Sequence, residues 1–424
     1  MSTELQVRRN GDTVSVTIAL ELPEGLAMME CETAIQDALN EAGSRLTAEC
    51  LERFDTDGSP IEIGEINLTS KERVPKSYQT PYGEVAVARH VYQSGWGGAT
   101  YCPLDESARV IESTTPRFAQ MCARKYATLN STLAQQDLAE CHQRHVSRCY
   151  LQDTAEAVAA IAQSKQASWK YADVAQEKEV AVVGLSLDGT SVRYCEEGWR
   201  MAMVGTLSLY DALGERLQTV YLGAPPAYGK ESFLKQMERE IRVYKERYPG
   251  VLWVGIADGA RDNWPWLERF VHVQVLDFFH AASYLEKAAA AMSRSPKQRR
   301  EWFERGRHAL KHEAHAAQRL LHEMNQALTS TTVKGKARAH LDAAANYFAS
   351  NLSRMNYTQC RVGRWPLGSG VTEAACKTLV KQRMCGSGMK WKHDGAATVL
   401  SLRSLVLSEG RWQQFWSKIS RFGV

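Results

Sequence analysis

Residues 179–192 read EVAVVGLSLDGTSV, an apolar, β-branched run after Glu179 that ends at Asp188, with Gly189 directly after it. A short run of this kind, with no helical spacing, predicts a strand. Two more strand-like segments follow at turn-sized intervals, WRMAMVGTLSLYD (199–211) and RLQTVYLGA (216–224). The pattern then becomes helical in ESFLKQMEREIRVYKERYPG (231–250), which Pro-Gly stops. VLWVGIADGA (251–260) is a second apolar strand running into Asp258-Gly259, DNWPWLERF (262–270) reads as a helix, and HVQVLDFFH (272–280) as a last strand. Three hairpin-linked strands, a helix, a strand, a helix and a strand predict an α/β fold. Its sheet has mixed strand direction and its helices cover both faces.

Outward from this core the chain divides further. Residues 1–110 read as a small α+β region. LQVRRNGDTVSVTIAL gives two short strands around Asn10-Gly11, a helix runs from about Gly25 to Phe54, and GEVAVARHVYQSGWGGATYCPLD gives a hairpin. Residues 111–176 read as three helices, with Ser131 and Ser147 as expected N-caps and a turn-sized break at HQRH. That is the outline of a helix-turn-helix, with Arg144, His145 and Arg148 at the start of the third helix where a recognition helix contacts DNA, or equally of plain helical packing. The sheet region starts at about Glu177 and spans 177–281. Residues 282–360 are Ala/Leu/Glu/Arg-rich and helical, an insertion or a separate domain, and 361–424 continue as helices.

The chain has 424 residues, of which 44% are hydrophobic and 24% charged, values of a folded globular protein rather than a disordered or fibrous one. No apolar run approaches the ~18–20 residues of a membrane span, and the N-terminal stretch lacks the apolar core of a secretory signal, so a cytoplasmic protein without a membrane partner is expected. Ten scattered cysteines, without a C-x-x-C pair, are expected as reduced thiols. From Asn351 to Val424 there are twelve Lys/Arg against three Asp/Glu, a local charge of +9 that leaves −5 to the rest. Such a tail is either a surface for a polyanion or a solvated face.

Carboxylates at the ends of strands lie where open α/β sheets bind ligands. Asp-Gly is also the strongest hairpin-turn dipeptide, so Asp188 and Asp258 each read as a ligand or as a turn. The turn reading is weaker for Asp258, because a helix rather than a partner strand follows. A third carboxylate, Glu373, opens a helix in GSGVTEAACKTLVKQRM, preceded by Gly368 and Gly370 and followed at i+4 and i+8 by Lys377 and Lys381. Glu373 and Lys377 make either an ordinary helix ion pair or part of a metal site beside a phosphodiester. Three carboxylates from two strands and a helix can hold two Mg²⁺ or Mn²⁺ ions about 3.5–4 Å apart, whereas no Cys/His cluster with zinc spacing is present.

The order of GLSLDGTSV, VGIADGARDNW, VLDFFH with its Asp-x-x-His (Asp277, His280), a long helical stretch and GSGVTEAACKTLVKQRMCGSGMKW resembles the DDE transposases of bacterial insertion sequences, most of all the Kra-type family with its Mutator-like relatives. The resemblance covers the chain from about Glu177 onward, and the YGEVAVARHVY…YCPLD stretch is similar too. It implies an RNase H-like catalytic core interrupted by the helical insertion. Asp188, Asp258 and Glu373 would be its metal-binding triad, and Asp277 and His280 would play a supporting role near the scissile phosphate. The implied reaction is metal-dependent cleavage and strand transfer on double-stranded DNA, at transposon ends and target, by a homodimer or higher oligomer. Implied DNA contacts, beyond Arg144, His145 and Arg148, are Lys377, Lys381, Arg383, Lys390 and Trp391. Trp264, Trp266 and Trp365 flank the motifs as packing residues or as platforms for an unpaired base. Cys102 stands alone where relatives often carry a zinc ribbon, so no structural zinc is carried over. The alternatives are a non-catalytic, domesticated DNA-binding protein and an RNase H-like nuclease that cuts without joining.

Overall fold

A computed structural model of the chain describes residues 3–174, 178–226, 229–330 and 333–423. The expected boundary at 176–177 lies outside the described residues, as does Val424 at the end of the basic tail. Two compact units emerge: one formed by the chain up to Trp169 together with the segment from Trp412 onward, the other by Lys170–Arg411.

In the first unit β1 (Thr3–Asn10) and β2 (Thr13–Leu20) form the expected hairpin, with Gly11 in the left-handed region at φ 57°. The long helix α1 (Met28–Glu52) follows. A four-stranded antiparallel sheet comes next: β3 (Ile61–Ile63), β4 (Ile66–Gln79), β5 (Glu84–Ser94) and β6 (Gly97–Tyr101). The 14-residue strand β4 escapes a reading by pattern, because its sequence INLTSKERVPKSYQ is polar and contains Pro75. Pro75 pairs with Ala88, beyond the stretch that β3 covers, so β4 has a single neighbour there and tolerates a residue without an N–H.

A short helix, α2 (Pro103–Ser107), leads to α3 (Pro116–Thr128), α4 (Ser131–His142) and α5 (Arg148–Lys165). Phe118, Cys122, Leu138, Leu151 and Val158 are fully buried among them. Ser147 caps α5 as expected, accepting from Tyr150 N. The cap of α4 is Asn130 instead of Ser131, its side chain accepting from Leu133 N.

The second unit is a mixed α/β structure around a five-stranded sheet. Its strands are β7 (Val182–Tyr194), β8 (Gly198–Tyr210), β9 (Arg216–Ala224), β10 (Leu252–Ala257) and β11 (Val273–Leu276), in the order β11-β10-β7-β8-β9. β8 runs antiparallel to β7 and β9 to β8, whereas β10 is parallel to both β7 and β11. Helices α6 (Gly229–Arg247) and α7 (Trp264–Glu268) cover one face. A Cβ on Gly205 would meet Met237 and Phe233 of α6, and one on Gly255 would meet Leu267 of α7.

The segment expected as strand 272–280 is shorter, because Asp277 ends it by capping α8 (Phe278–Met292). Then come α9 (Pro296–His312), α10 (Ala316–Thr329), α11 (Gly335–Asn351) and α12 (Tyr357–Val362). The helical stretch 298–324 is broken at His315, a non-glycine residue at φ 58° that no local sequence signal announces.

The chain returns to the other face of the sheet with α13 (Gly370–Ala375), a wide π-helical turn over Cys376–Lys381, and α14 (Gln382–Met384). Helix α15 (His393–Leu407) follows in this unit, whereas α16 (Arg411–Phe422) belongs almost wholly to the first. On this face Thr206 and Thr372 hydroxyls bond at 2.6 Å, and a Cβ on Gly223 would meet Leu379 and Leu400. Trp253, Leu185, Val254, Phe233, Leu285 and Phe348 lie in one continuous core, each worth about 1.5–3 kcal/mol by burial. Among the described residues no helix is long and apolar enough to cross a membrane. All ten cysteines are unpaired.

Candidate active site

Strand register sets the first two carboxylates. β7 and β10 pair in parallel from Val182 opposite Leu252 to Ser186 opposite Ile256. Two residues further along each chain stand Asp188 and Asp258, level with each other. Side chains alternate along a strand, so Asp188 shares the face of Ser186 and Thr206, the face that α13 covers, while Asp258 lies just past the end of β10. The turn reading fails for Asp188, since β7 continues through it to Tyr194, with Asp188 paired to Val204, and the chain reverses at 195–197. Asp188 therefore sits mid-strand, where β7 outruns its parallel neighbour. Asp258 follows the last residue of β10 and makes a tight local turn, its Oδ1 accepting from Ala260 N at 3.1 Å. Gly259 at φ 91° leaves room for Tyr347, whose hydroxyl donates to the Asp258 carbonyl at 2.7 Å.

Glu373 lies one turn into α13, half exposed. Its helix is fixed against Asp188 through Cys376, whose thiol donates to Asp188 Oδ2 at 3.4 Å. Burial pushes the Cys376 thiol well up, and the neighbouring Asp188 carboxylate adds to the effect. The loop ahead of α13 is held by Asp277, which is fully buried. Asp277 Oδ1 accepts from His280 N at 2.7 Å, while Oδ2 accepts from Ser369 N and, at 2.8 Å, from Ser369 Oγ. Gly368 keeps this approach close, since a Cβ would stand about 3.0 Å from both Asp277 Oδ2 and the Phe279 ring. Ser369 Oγ also stands 3.2 Å from Glu373 Oε1, and His280 Nε2 is 3.5 Å from the same oxygen.

Asp277, His280 and Glu373 bring one ligand-type atom each within 4.8 Å of one another. Asp188 and Asp258 are not in that group. Both Asp277 oxygens accept hydrogen bonds, one from the α8 cap and one from the Ser369 loop, so this buried carboxylate positions the loop ahead of Glu373. The His280 side chain is 42% exposed and turned to Glu373.

The expected DNA contacts divide by burial. Lys377, Lys381 and Lys390 are exposed, and Glu373 faces His280. Arg383 is buried, its guanidinium over the Trp391 ring at 5.1 Å, which removes it from the expected contacts. Trp391 is a packing residue as well, donating Nε1–H to Met384 O at 2.9 Å. Trp264 and Trp266 are buried, the latter donating to Glu238 Oε1 at 3.0 Å, and Trp365 is half-buried. In the first unit His145 and Arg148 are exposed, but α5 starts only at Arg148.

Arg144 is turned inward, against the expectation of a DNA contact. It is buried over Phe118 at 5.1 Å and donates to Thr80 O at 2.9 Å and to the Gln79 side chain. Arg144→Ala is expected to lower stability by about 2–4 kcal/mol, since it strands two acceptors and empties a packed site. It should leave the salt dependence of any DNA binding unchanged. Denaturant melts and binding at several salt concentrations check both.

Cys376, Ser369 and Tyr347 were not singled out by sequence. Cys376 lies three residues beyond Glu373 and Ser369 four before it, helical spacings that could have flagged them. Tyr347 comes from the helical insertion, and no spacing announces it. No protein-family model matches this chain, and no curated protein matches it.

Proposed function

We propose that this chain is a DNA transposase of the DDE class with an RNase H-like core, cutting and joining double-stranded DNA at the ends of a mobile element. The observation that carries the reading is Asp188 on the sheet face where Cys376 fixes the helix of Glu373, with Asp258 two residues past the last β7–β10 pair. The strand order supports it. Counted within the second unit it is 3-2-1-4-5, three antiparallel strands followed by two parallel ones, the arrangement of RNase H-like folds.

The donor set is all carboxylate, which suits Mg²⁺ or Mn²⁺, and none of the three side chains is fully buried. Asp188, Asp258 and Glu373 would hold two such ions, which when bound activate an attacking oxygen and steady the leaving oxygen of a phosphodiester. The chain's own residues do the positioning. Asp277 and Ser369 hold the loop that aims Glu373. His280, half exposed, sets its Nε2 3.5 Å from Glu373 Oε1 and helps orient that carboxylate. Lys377, Lys381 and Lys390 offer exposed charge to phosphates. Joining two ends to one target requires at least a dimer.

The test is a labelled duplex carrying the flanking ends of the parent gene, incubated with the full chain and Mg²⁺, Mn²⁺ or EDTA. Nicked and joined products with either metal and none with EDTA are expected. Specific binding without chemistry would replace this reading with a non-catalytic DNA-binding protein, and cutting without joined products would replace it with a nuclease.

A further inference from the structure

Main-chain pairing in the sheet reaches Ala257, whose carbonyl accepts from Asp277 N at 2.9 Å, and Asp258 lies one residue beyond it. The Asp258 carbonyl is held by a side chain instead: the Tyr347 hydroxyl of α11 donates to it at 2.7 Å. The Tyr347 ring also lies against the next residue, since a Cβ on Gly259 would come within 2.9 Å of it. Tyr347 is itself clamped. The Tyr284 ring of α8 stacks on it with centroids 3.8 Å and planes 8° apart, and Lys287 Nζ stands 4.3 Å from the centre of the Tyr284 ring. Tyr284 comes one helical turn after His280, the residue that faces Glu373. Helix α8 therefore meets Glu373 with its first turn and supports the Asp258 turn, through Tyr347, with its second.

We propose that Tyr347 is a positioning residue for Asp258, holding its turn so that the carboxylate is in place before a cation binds. The inference rests on the proposed role of Asp258 as a metal ligand. Asp258 stands past the end of its strand, where the ladder no longer fixes the backbone, and its Oδ1 bonds locally to Ala260 N. A turn without a brace would have to be ordered by the ion, and the lost conformational freedom would be subtracted from the affinity. Groups behind metal ligands act in this way, and removing one weakens binding by roughly ten- to a hundredfold. One hydroxyl from the helical stretch thus ties Asp258 to α8, the helix whose cap Asp277 holds the loop ahead of Glu373. That stretch is then part of the frame of the metal site.

The test titrates Mn²⁺ into the full chain, following free Mn²⁺ by electron paramagnetic resonance, and repeats the titration as cleavage of the end-bearing duplex. Tyr347→Phe keeps the stacked ring and loses the hydroxyl. It is expected to bind Mn²⁺ about tenfold more weakly and to need about tenfold more of it for half-maximal cleavage, while reaching the wild-type rate at saturation. Tyr284→Leu loses the stack and keeps the hydroxyl bond, and should shift both in the same direction by less. A melt of each variant separates this from a structural loss, which would lower the melting temperature without moving the Mn²⁺ dependence well below it. Wild-type Mn²⁺ dependence in Tyr347→Phe overturns the inference. So does a Tyr347→Phe variant that binds Mn²⁺ normally but cleaves slowly at saturation, which would place the hydroxyl among the reacting groups. Wild-type Mn²⁺ binding in Asp258→Asn would instead overturn the role of Asp258 as a ligand. If no duplex is cut, the proposed function fails, while the binding titration still decides the role of Tyr347.

Discussion

Asp188→Asn and Glu373→Gln are each expected to reduce metal-dependent strand cleavage by at least roughly a thousandfold, the scale on which losing one member of a catalytic set acts. Both substitutions are nearly isosteric and remove charge where cations would sit. Glu373 is half exposed and Asp188 partly so, so the fold should tolerate the change. The expected pattern is lost cleavage with intact melting temperature and intact end binding. Asp258→Asn belongs to the same set, with its local turn to Ala260 preserved by the remaining oxygen. Cleavage at the wild-type rate in any of the three would remove that residue from the triad. Gel-based kinetics in Mg²⁺, paired with a thermal melt of each variant, make the measurement.

Asp277→Ala should behave in the opposite way, losing stability first. The substitution removes the cap of α8, worth about 1–2 kcal/mol, and leaves the Ser369 N–H and hydroxyl without their buried acceptor, at about 1–3 kcal/mol each. Because these terms share one site they do not simply add, and a total of about 3–5 kcal/mol is expected. For a unit of this size that lowers the melting temperature by roughly 10 °C. Asp277→Asn can still cap α8 through its oxygen but points an amide at the Ser369 N–H, so it should fall between. If Asp277→Ala melted like wild type while losing all cleavage, Asp277 would return to the reacting groups.

The contrast between these two predictions marks what was legible in the sequence. Asp188 and Asp258 could be read because they end apolar runs, a local signal. That they stand level depends on strand register, which no single run reveals. The helix of Glu373 could be read from its periodicity. Asp277 and His280 could be found only by resemblance, and their separate roles, one buried, the other half exposed, depend on the loop at Gly368 and Ser369 that packs against them. Arg144 and Arg383 misled for the same reason: an arginine in a basic or helical context reads as surface, and burial over Phe118 or Trp391 is a tertiary fact. β4 was lost to Pro75 and its charges, which an open sheet edge accommodates.

The wide turn at Cys376–Lys381 answers a rhythm already written in the chain. Buried pairs recur at Ala375-Cys376, Leu379-Val380 and Arg383-Met384, a repeat of four. In a uniform α-helix of 3.6 residues per turn, such a repeat drifts about 40° around the axis at each step, and the third pair would swing away from the sheet. Widening the winding over one stretch cancels the drift. The same rod can then present Glu373 to the carboxylates at one end and seat Arg383 and Met384 in the interior at the other. Its departure from regularity is a phase correction between two ends that a regular screw would not align.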